Sequence, residues 1–240
     1  MTAGLSRPLI CLVTDRRRVV PAGTDGLLRL VGRAAAAGVD IVHVREPGLD
    51  DRQLAGLVRA AVDAVAATPA RVVVNDRLDI ALAARAHGVH LRADSISAER
   101  VRQLAPPGFL VGRSVHTLPD AVAAAGSGVD YLVAGTVYPT ASKSGKWPLL
   151  GVSGLRELAH AVDVPVLAIG GVVADKVGDL AASGAAGLAA IGLFADVPTD
   201  ANDAHFDRVL RDLVARLRTP FQREPFDSAP PRSGPGPGSG

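Results

Sequence analysis

The sequence predicts a single (β/α)8 barrel, the TIM-barrel architecture. Three observations carry this prediction. Eight short apolar runs are rich in β-branched residues, Ala/Leu/Arg-rich segments with helical spacing lie between most of them, and polar residues gather just past the ends of the runs. Alternating strand and helix units give parallel strands joined by crossover helices, and eight such strands close on themselves. The chain has 240 residues, a length that one such barrel fills.

In order, the predicted strands are Pro8–Val13, Val39–Val44, Arg71–Val74, Gly88–Leu91, Phe109–Val111, Tyr131–Ala134, Val166–Ile169 and Gly187–Ile191. Leu27–Ala37 and Arg52–Ala66 return apolar residues every three or four positions, the spacing of a helix with one buried face. Asp120–Ala125, Ser153–Ala161, Lys176–Ala182 and Phe206–Leu217 follow the same rule. Phrases such as Ala37-Gly38-Val39-Asp40, Ala86-His87-Gly88-Val89, Ser127-Gly128-Val129-Asp130 and Ser183-Gly184-Ala185-Ala186 introduce strands. Each is read as a left-handed glycine that ends a helix. The alternative, a doubly wound open sheet, lacks the GxGxxG that would follow its first strand. The barrel is expected over residues 7–218. Residues 219–240, ending PRSGPGPGSG, bury too little apolar surface to offset ordering entropy and are expected to form a disordered tail.

Apolar residues make up 48% and aromatics 3%, so the core must be Val, Leu, Ile and Ala, which suits a parallel sheet covered on both faces. The formal net charge is +2 with both signs interleaved, and Arg16–Arg18, the densest basic run, reads as a solvated loop. With few aromatics for base stacking, no nucleic-acid partner is expected. The single cysteine, Cys11, sits in an apolar run and reads as a small buried hydrophobe, which excludes a disulfide framework. No secretory pattern or membrane-length apolar run is present, so a cytoplasmic location is expected. Oligomeric state, a homo-oligomer included, is left open.

Chemistry in such a barrel sits on the loops after the strands. These loops carry Thr14-Asp15, Arg45-Glu46, Asn75-Asp76, Arg92-Ala93-Asp94, Arg113-Ser114-Val115-His116, Gly135–Lys146, Gly170-Gly171 and Gly192. Asn75, Asp76, Ser114 and Thr117 are also good helix N-cap types, and either role is open for each. Gly170-Gly171 and Gly192 close strands seven and eight, where glycine lets backbone N–H groups approach a phosphate. The loop after strand six is the longest within the domain. There Thr140, Ser142 and Lys143 offer two hydroxyls and an ammonium to an anion, and Trp147 reads as ordinary packing.

Taken together, Leu12-Val13-Thr14-Asp15, Val42-His43-Val44-Arg45-Glu46, Val74-Asn75-Asp76-Arg77-Leu78-Asp79, Gly88-Val89-His90-Leu91, Gly112-Arg113-Ser114-Val115-His116, Tyr138-Pro139-Thr140-Ala141-Ser142-Lys143 and Ala168-Ile169-Gly170-Gly171-Val172 resemble the thiamine phosphate synthase and TenI-like family. The synthase branch implies joining of an aminopyrimidine methyl diphosphate to a thiazole phosphate, with release of pyrophosphate. The resemblance implies that Arg45, Asn75, Ser114 and Lys143 hold the diphosphate or pyrimidine. It implies Asp76 as a Mg2+ ligand, and Thr140, Ser142, Gly171, Ile191 and Gly192 around the thiazole phosphate. His43 joins the substrate-binding set. The partners implied are the small phosphorylated thiazole and pyrimidine substrates.

The sequence departs from that pattern at three points. Pro47 replaces a lysine after strand two, Ser95 stands where the loop after strand four usually supplies a second aspartate, and Thr136 stands where the TenI-like branch places a histidine. Two further readings therefore stand beside the synthase: a metal-free thiazole phosphate tautomerase, and a non-catalytic binder of thiazole or thiamine phosphate.

Overall fold

The computed structural model describes residues 5–140, 148–197 and 202–223. Eight parallel strands close into a barrel in chain order: β1 (Leu9–Val13), β2 (Ile41–Val44), β3 (Arg71–Asn75), β4 (Gly88–Leu91), β5 (Leu110–Val115), β6 (Tyr131–Ala134), β7 (Val166–Ile169) and β8 (Gly187–Ala190). The seam pairs β1 with β8, Leu9 opposite Gly187 and Leu12 opposite Ala190. Around the barrel run α1 (Thr24–Ala36), α2 (Asp51–Val65), α3 (Leu78–Ala83), α4 (Ala98–Leu104), α5 (Leu118–Ala125), α6 (Gly151–Ala161), α7 (Val177–Ala182), α8 (Gly192–Ala195) and α9 (Asp203–Arg223).

Alternation along each strand separates two cores. One face, with Ile10, Leu12, Val42, Val72, Val74 and Leu132, packs under the helices. The other, with Leu9, Cys11, Val13, Ile41, Val73, Leu110, Tyr131, Val133 and Leu167, fills the lumen. Cys11 is a free thiol, 1% exposed, and burial pushes its pKa up, as expected of a buried hydrophobe.

The phrases before β2 and β6 do more than end helices. Gly38 (φ 104°) and Gly128 (φ 86°) are left-handed, as is Gly184 before β8. Two residues past each of the first two stands an aspartate that ties neighbouring strands together. Asp40 Oδ2 accepts from Ile10 N (2.7 Å) and Arg218 (2.8 Å), and Asp130 Oδ2 accepts from Val111 N (2.7 Å) and Arg102 (2.6 Å). Before β4 the expectation fails. The left-handed residue is Arg85 (φ 56°), and Gly88 begins the strand.

Several elements also differ from expectation. β5 runs through Gly112-Arg113-Ser114-Val115, because the missing side chain at Gly112 admits the Tyr131 ring; a Cβ there would fall inside that ring. The short helices α3, α4 and α8 have too few turns to show a period. α9 continues to Arg223 and so takes in residues 219–223, which the sequence assigned to the tail. Phe221 packs against the core, and Arg218 donates to Pro8 O (2.8 Å) and Gly38 O (2.7 Å) as well as to Asp40. Residues 224–240 lie outside the described residues. No helix among the described residues is long and apolar enough to cross a membrane.

Candidate active site

The strand ends bring those of the predicted residues that the structure describes to one rim. His43 on β2 is buried, and its Nε2 stands 3.2 Å from Asn75 Oδ1 at the end of β3. An amide oxygen can only accept, so Nε2 carries the proton in this contact. Burial first, and the nearby Arg45 charge after it, hold the His43 pKa down to about 4 against the pull of the Asn75 bond. His43 is therefore neutral near pH 7. Its ring lies 4.4 Å from that of His90 on β4. His90 bridges two hydroxyls, Tyr131 at 3.2 Å through Nδ1 and Ser114 at 2.9 Å through Nε2. His43, Asn75, His90 and Ser114 thus form a polar band inside β2–β5, directly above the apolar lumen.

Arg45 follows β2 and is exposed, while its backbone N–H donates to the buried Thr14 hydroxyl (3.0 Å). Glu46 is turned inward with its side chain 1% exposed. It pairs with Arg16 (3.1 Å) and accepts from Arg16 N at 3.0 and 3.2 Å, which fastens the loop after β1 to the loop after β2. The basic run of that first loop is neutralised residue by residue, Arg17 pairing with Asp15 and Arg18 with Asp196.

Of the four candidate caps, only Thr117 caps a helix, accepting from Asp120 N. Asn75 and Ser114 end or lie within strands and engage the histidines instead. Asp76 leaves β3 in the left-handed region (φ 62°). Its Oδ1 accepts from the Ser95 hydroxyl, and its Oδ2 lies 3.4 Å from Arg92 Nε.

Opposite, the end of β7 meets the loop after β6. Val137 N donates to Ile169 O (2.9 Å) and Tyr138 N to Gly170 O (3.0 Å). Gly171 (φ 63°) sits so close to this loop that a Cβ would lie 2.5 Å from Pro139 O. Ile191 precedes α8 and Gly192 is its first residue. Thr136 is buried, its methyl group against Gly170, where it offers no base near neutral pH. Thr140 is half-buried at the end of this described stretch; Ser142, Lys143 and Trp147 lie outside the described residues.

The expected Mg2+ does not suit the donors present. Magnesium takes a near-octahedral set of oxygens, commonly one or two carboxylates completed by phosphate and water. Both Asp76 oxygens are engaged, Asp94 pairs with Arg92 at 3.0 Å, and the cation beside Asp76 is a guanidinium. No group of three or more His, Cys, Asp or Glu side chains converges as ligands among the described residues.

The sequence places Arg92, Arg113 and Glu46 among the loop residues but assigns them no role. Arg113 on β5 holds the loop after β4, donating to Ala93 O (2.8 Å) and Ile96 O (3.0 Å). Its signal was a charged residue inside a strand that pairs with β4.

Comparison with known proteins places the chain in a family. Residues 10–194 match the family described as thiamine monophosphate synthase. The thiamine-phosphate synthase of Methanoculleus marisnigri is 39% identical over 185 residues, covering 77% of this chain and 86% of that protein. That of Roseiflexus castenholzii is 35% identical over 192 residues, 80% and 83% of the two chains. Among solved structures, thiamine phosphate pyrophosphorylase from Pyrococcus furiosus superposes with a TM-score of 0.74 at 27% identity, covering 89% of this chain and 96% of that one. The chain belongs to the thiamine monophosphate synthase family.

Proposed function

We propose that this chain is a thiamine-phosphate synthase, joining an aminopyrimidine methyl diphosphate to a thiazole phosphate. The observation that carries this reading is the division of one rim into two stations. Side-chain donors stand on β2–β5, and glycine backbone stands at β7 and β8. A reaction between two phosphorylated molecules needs two such places within reach of each other.

In the reaction the bond from the pyrimidine methylene to the diphosphate oxygen breaks, and its electron pair leaves with pyrophosphate. The thiazole nitrogen lone pair then forms the new C–N bond to the cationic methylene. Little proton transfer is required, so the chain's task is to orient and to neutralise. Arg45 and Lys143 would meet the charge that builds on the departing diphosphate. Asn75, with its oxygen occupied by His43, presents amide N–H groups to the pyrimidine, and Ser114 adds a hydroxyl. A neutral His43 positions Asn75 without adding a charge beside the forming cation. Thr140 and Ser142 with the backbone at Gly171, Ile191 and Gly192 would hold the thiazole phosphate. Two phosphorylated metabolites as substrates support a cytoplasmic site of action.

The test is incubation with both substrates and identification of the products. Thiamine phosphate and pyrophosphate are expected in equal amounts. Lys143→Ala and Arg45→Ala should each lower kcat by about 10²–10³-fold, because contacts to developing charge strengthen in the transition state. A proton shift within the thiazole phosphate alone would replace this reading with the tautomerase, and binding without turnover would replace it with the binder.

A further inference from the structure

The loop after β4 carries a charge arrangement that the reaction above leaves unused. Arg92 is 56% exposed at the rim, and its Nε is shared between Asp76 Oδ2 (3.4 Å) and Asp94 Oδ1 (3.0 Å). Ser95 Oγ accepts from Arg92 N (2.8 Å) and donates to Asp76 Oδ1. Asp76, Ser95 and Arg92 therefore form one closed set, pinned from β5 by Arg113. Asp76, 28% exposed, is held by the strand end; Asp94, 68% exposed, is the loosely held member. With two carboxylates and two guanidinium groups the loop is balanced before a ligand arrives.

We propose that Arg92 is the anion-binding cation of this part of the rim, and that it receives the substrate's diphosphate directly, with no divalent ion on Asp76. Asp76 and Ser95 are positioning residues for Arg92. A guanidinium beside the carboxylate repels a divalent cation, and the Ser95 proton occupies the other oxygen. Arginine's planar fork matches phosphate oxygens two at a time. No hydrogen bond to a described residue occupies its two terminal nitrogens, so they are available to a ligand. The terminal nitrogens take an arriving diphosphate while Nε stays hydrogen-bonded to Asp94 (3.0 Å) and ion-paired with Asp76 (3.4 Å).

This inference rests on the diphosphate substrate proposed above, and its test separates the two. The binding of inorganic pyrophosphate to the full chain is measured by calorimetry, with chelator and with Mg2+. Wild type should bind in chelator, with an affinity within about twofold of that in Mg2+. Arg92→Ala should lose about tenfold or more in chelator, the loss of a charged hydrogen-bonding partner, and Arg92→Lys should recover part of it. The double variant Arg92→Ala, Ser95→Asp should regain binding only when Mg2+ is added, since it supplies a second carboxylate. Wild-type binding that appears only with Mg2+, no pyrophosphate binding in either condition, or unchanged affinity in Arg92→Ala would each overturn the proposal. Retained, Arg92-dependent binding without product from the two synthase substrates would reject the reaction and leave the Arg92 assignment standing.

Discussion

The two sides of this barrel's rim are built from different materials. Across β2–β5 the polar groups that face inward are side chains, His43, Asn75, His90 and Ser114, linked by hydrogen bonds and by ring contact. At the rim ends of β6–β8 the inward side chains are apolar, Val133, Ile169 and Ala189, and polarity comes from backbone at Gly170, Gly171 and Gly192. A side-chain station can be shaped residue by residue to a flat, neutral heterocycle. A backbone station is fixed by chain path and suits a ligand recognised by charge alone. Substitutions should therefore fail differently on the two sides, by broken chain geometry on one and by lost hydrogen bonds or protons on the other.

The largest effect should come from the backbone side. Gly171→Ala places a left-handed alanine with its Cβ 2.5 Å from Pro139 O and 2.7 Å from Tyr138 O. Strain of about 1–2 kcal/mol from the conformation, and about 1–3 kcal/mol from crowding, should lower stability in urea unfolding. Gly192→Ala is the contrast. Its Cβ would meet only the ends of Asp196 (3.1 Å) and Arg18 (3.2 Å), both exposed and able to move. Stability should change by less than about 0.5 kcal/mol while affinity for thiazole phosphate falls. Equal stability losses in the two variants would erase the distinction between the chain path of β7 and that of β8.

On the side-chain face the sharpest handle is protonation. Unfolded, His43 binds a proton near its ordinary 6.5; folded, only near 4. Between those values the unfolded chain holds more protons, so His43's contribution is complete above pH 6.5 and is lost as pH falls toward 4. The loss amounts to about 2–3 kcal/mol. His87, also lowered by burial, acts with the same sign; Asp40, raised by burial, acts with the opposite sign, favouring the fold at lower pH. The difference between wild type and His43→Gln isolates the His43 share, and parallel stability curves from pH 7 to 4 would contradict it. The smallest effect should be Ser114→Ala, which leaves His90 Nε2 without its 2.9 Å partner and should cost about 1 kcal/mol in the same assay.

This division explains what the sequence disclosed. Strand ends are readable because the short apolar runs stop at polar residues, so Asn75, Asp76 and Arg45 could be placed on the rim directly. Ser114 was also placed there, though from a strand ended too early. The strand was read as ending at Val111, and only the fold shows that the space of Gly112's missing side chain is filled by Tyr131, nineteen positions away. Glu46 pairs with Arg16 thirty residues back and Arg113 reaches Ala93 twenty back, separations at which local pattern carries no signal. The helices with one long buried face were legible, and so was the short α7, whereas α3, α4 and α8 were not. Residues 219–223 read as tail because they open a stretch rich in Pro, Gly and Ser, yet Phe221 packs on the core regardless.

Arg218 sets an order in time as well as a contact in space. Its guanidinium joins Pro8, Gly38 and Asp40, at the entrances of the first two strands, from a helix made some 180 to 210 residues later. The β1–β8 seam likewise waits for residue 187. On the ribosome, β1 therefore emerges with one edge unpaired and its lower end uncapped, and stays so through nearly the whole of synthesis. Long-range closure of this kind is slow, and open strand edges are prone to wrong partners. The last two turns of α9 act as a latch, and a chain halted before them would leave the ribosome with its oldest strand the least protected.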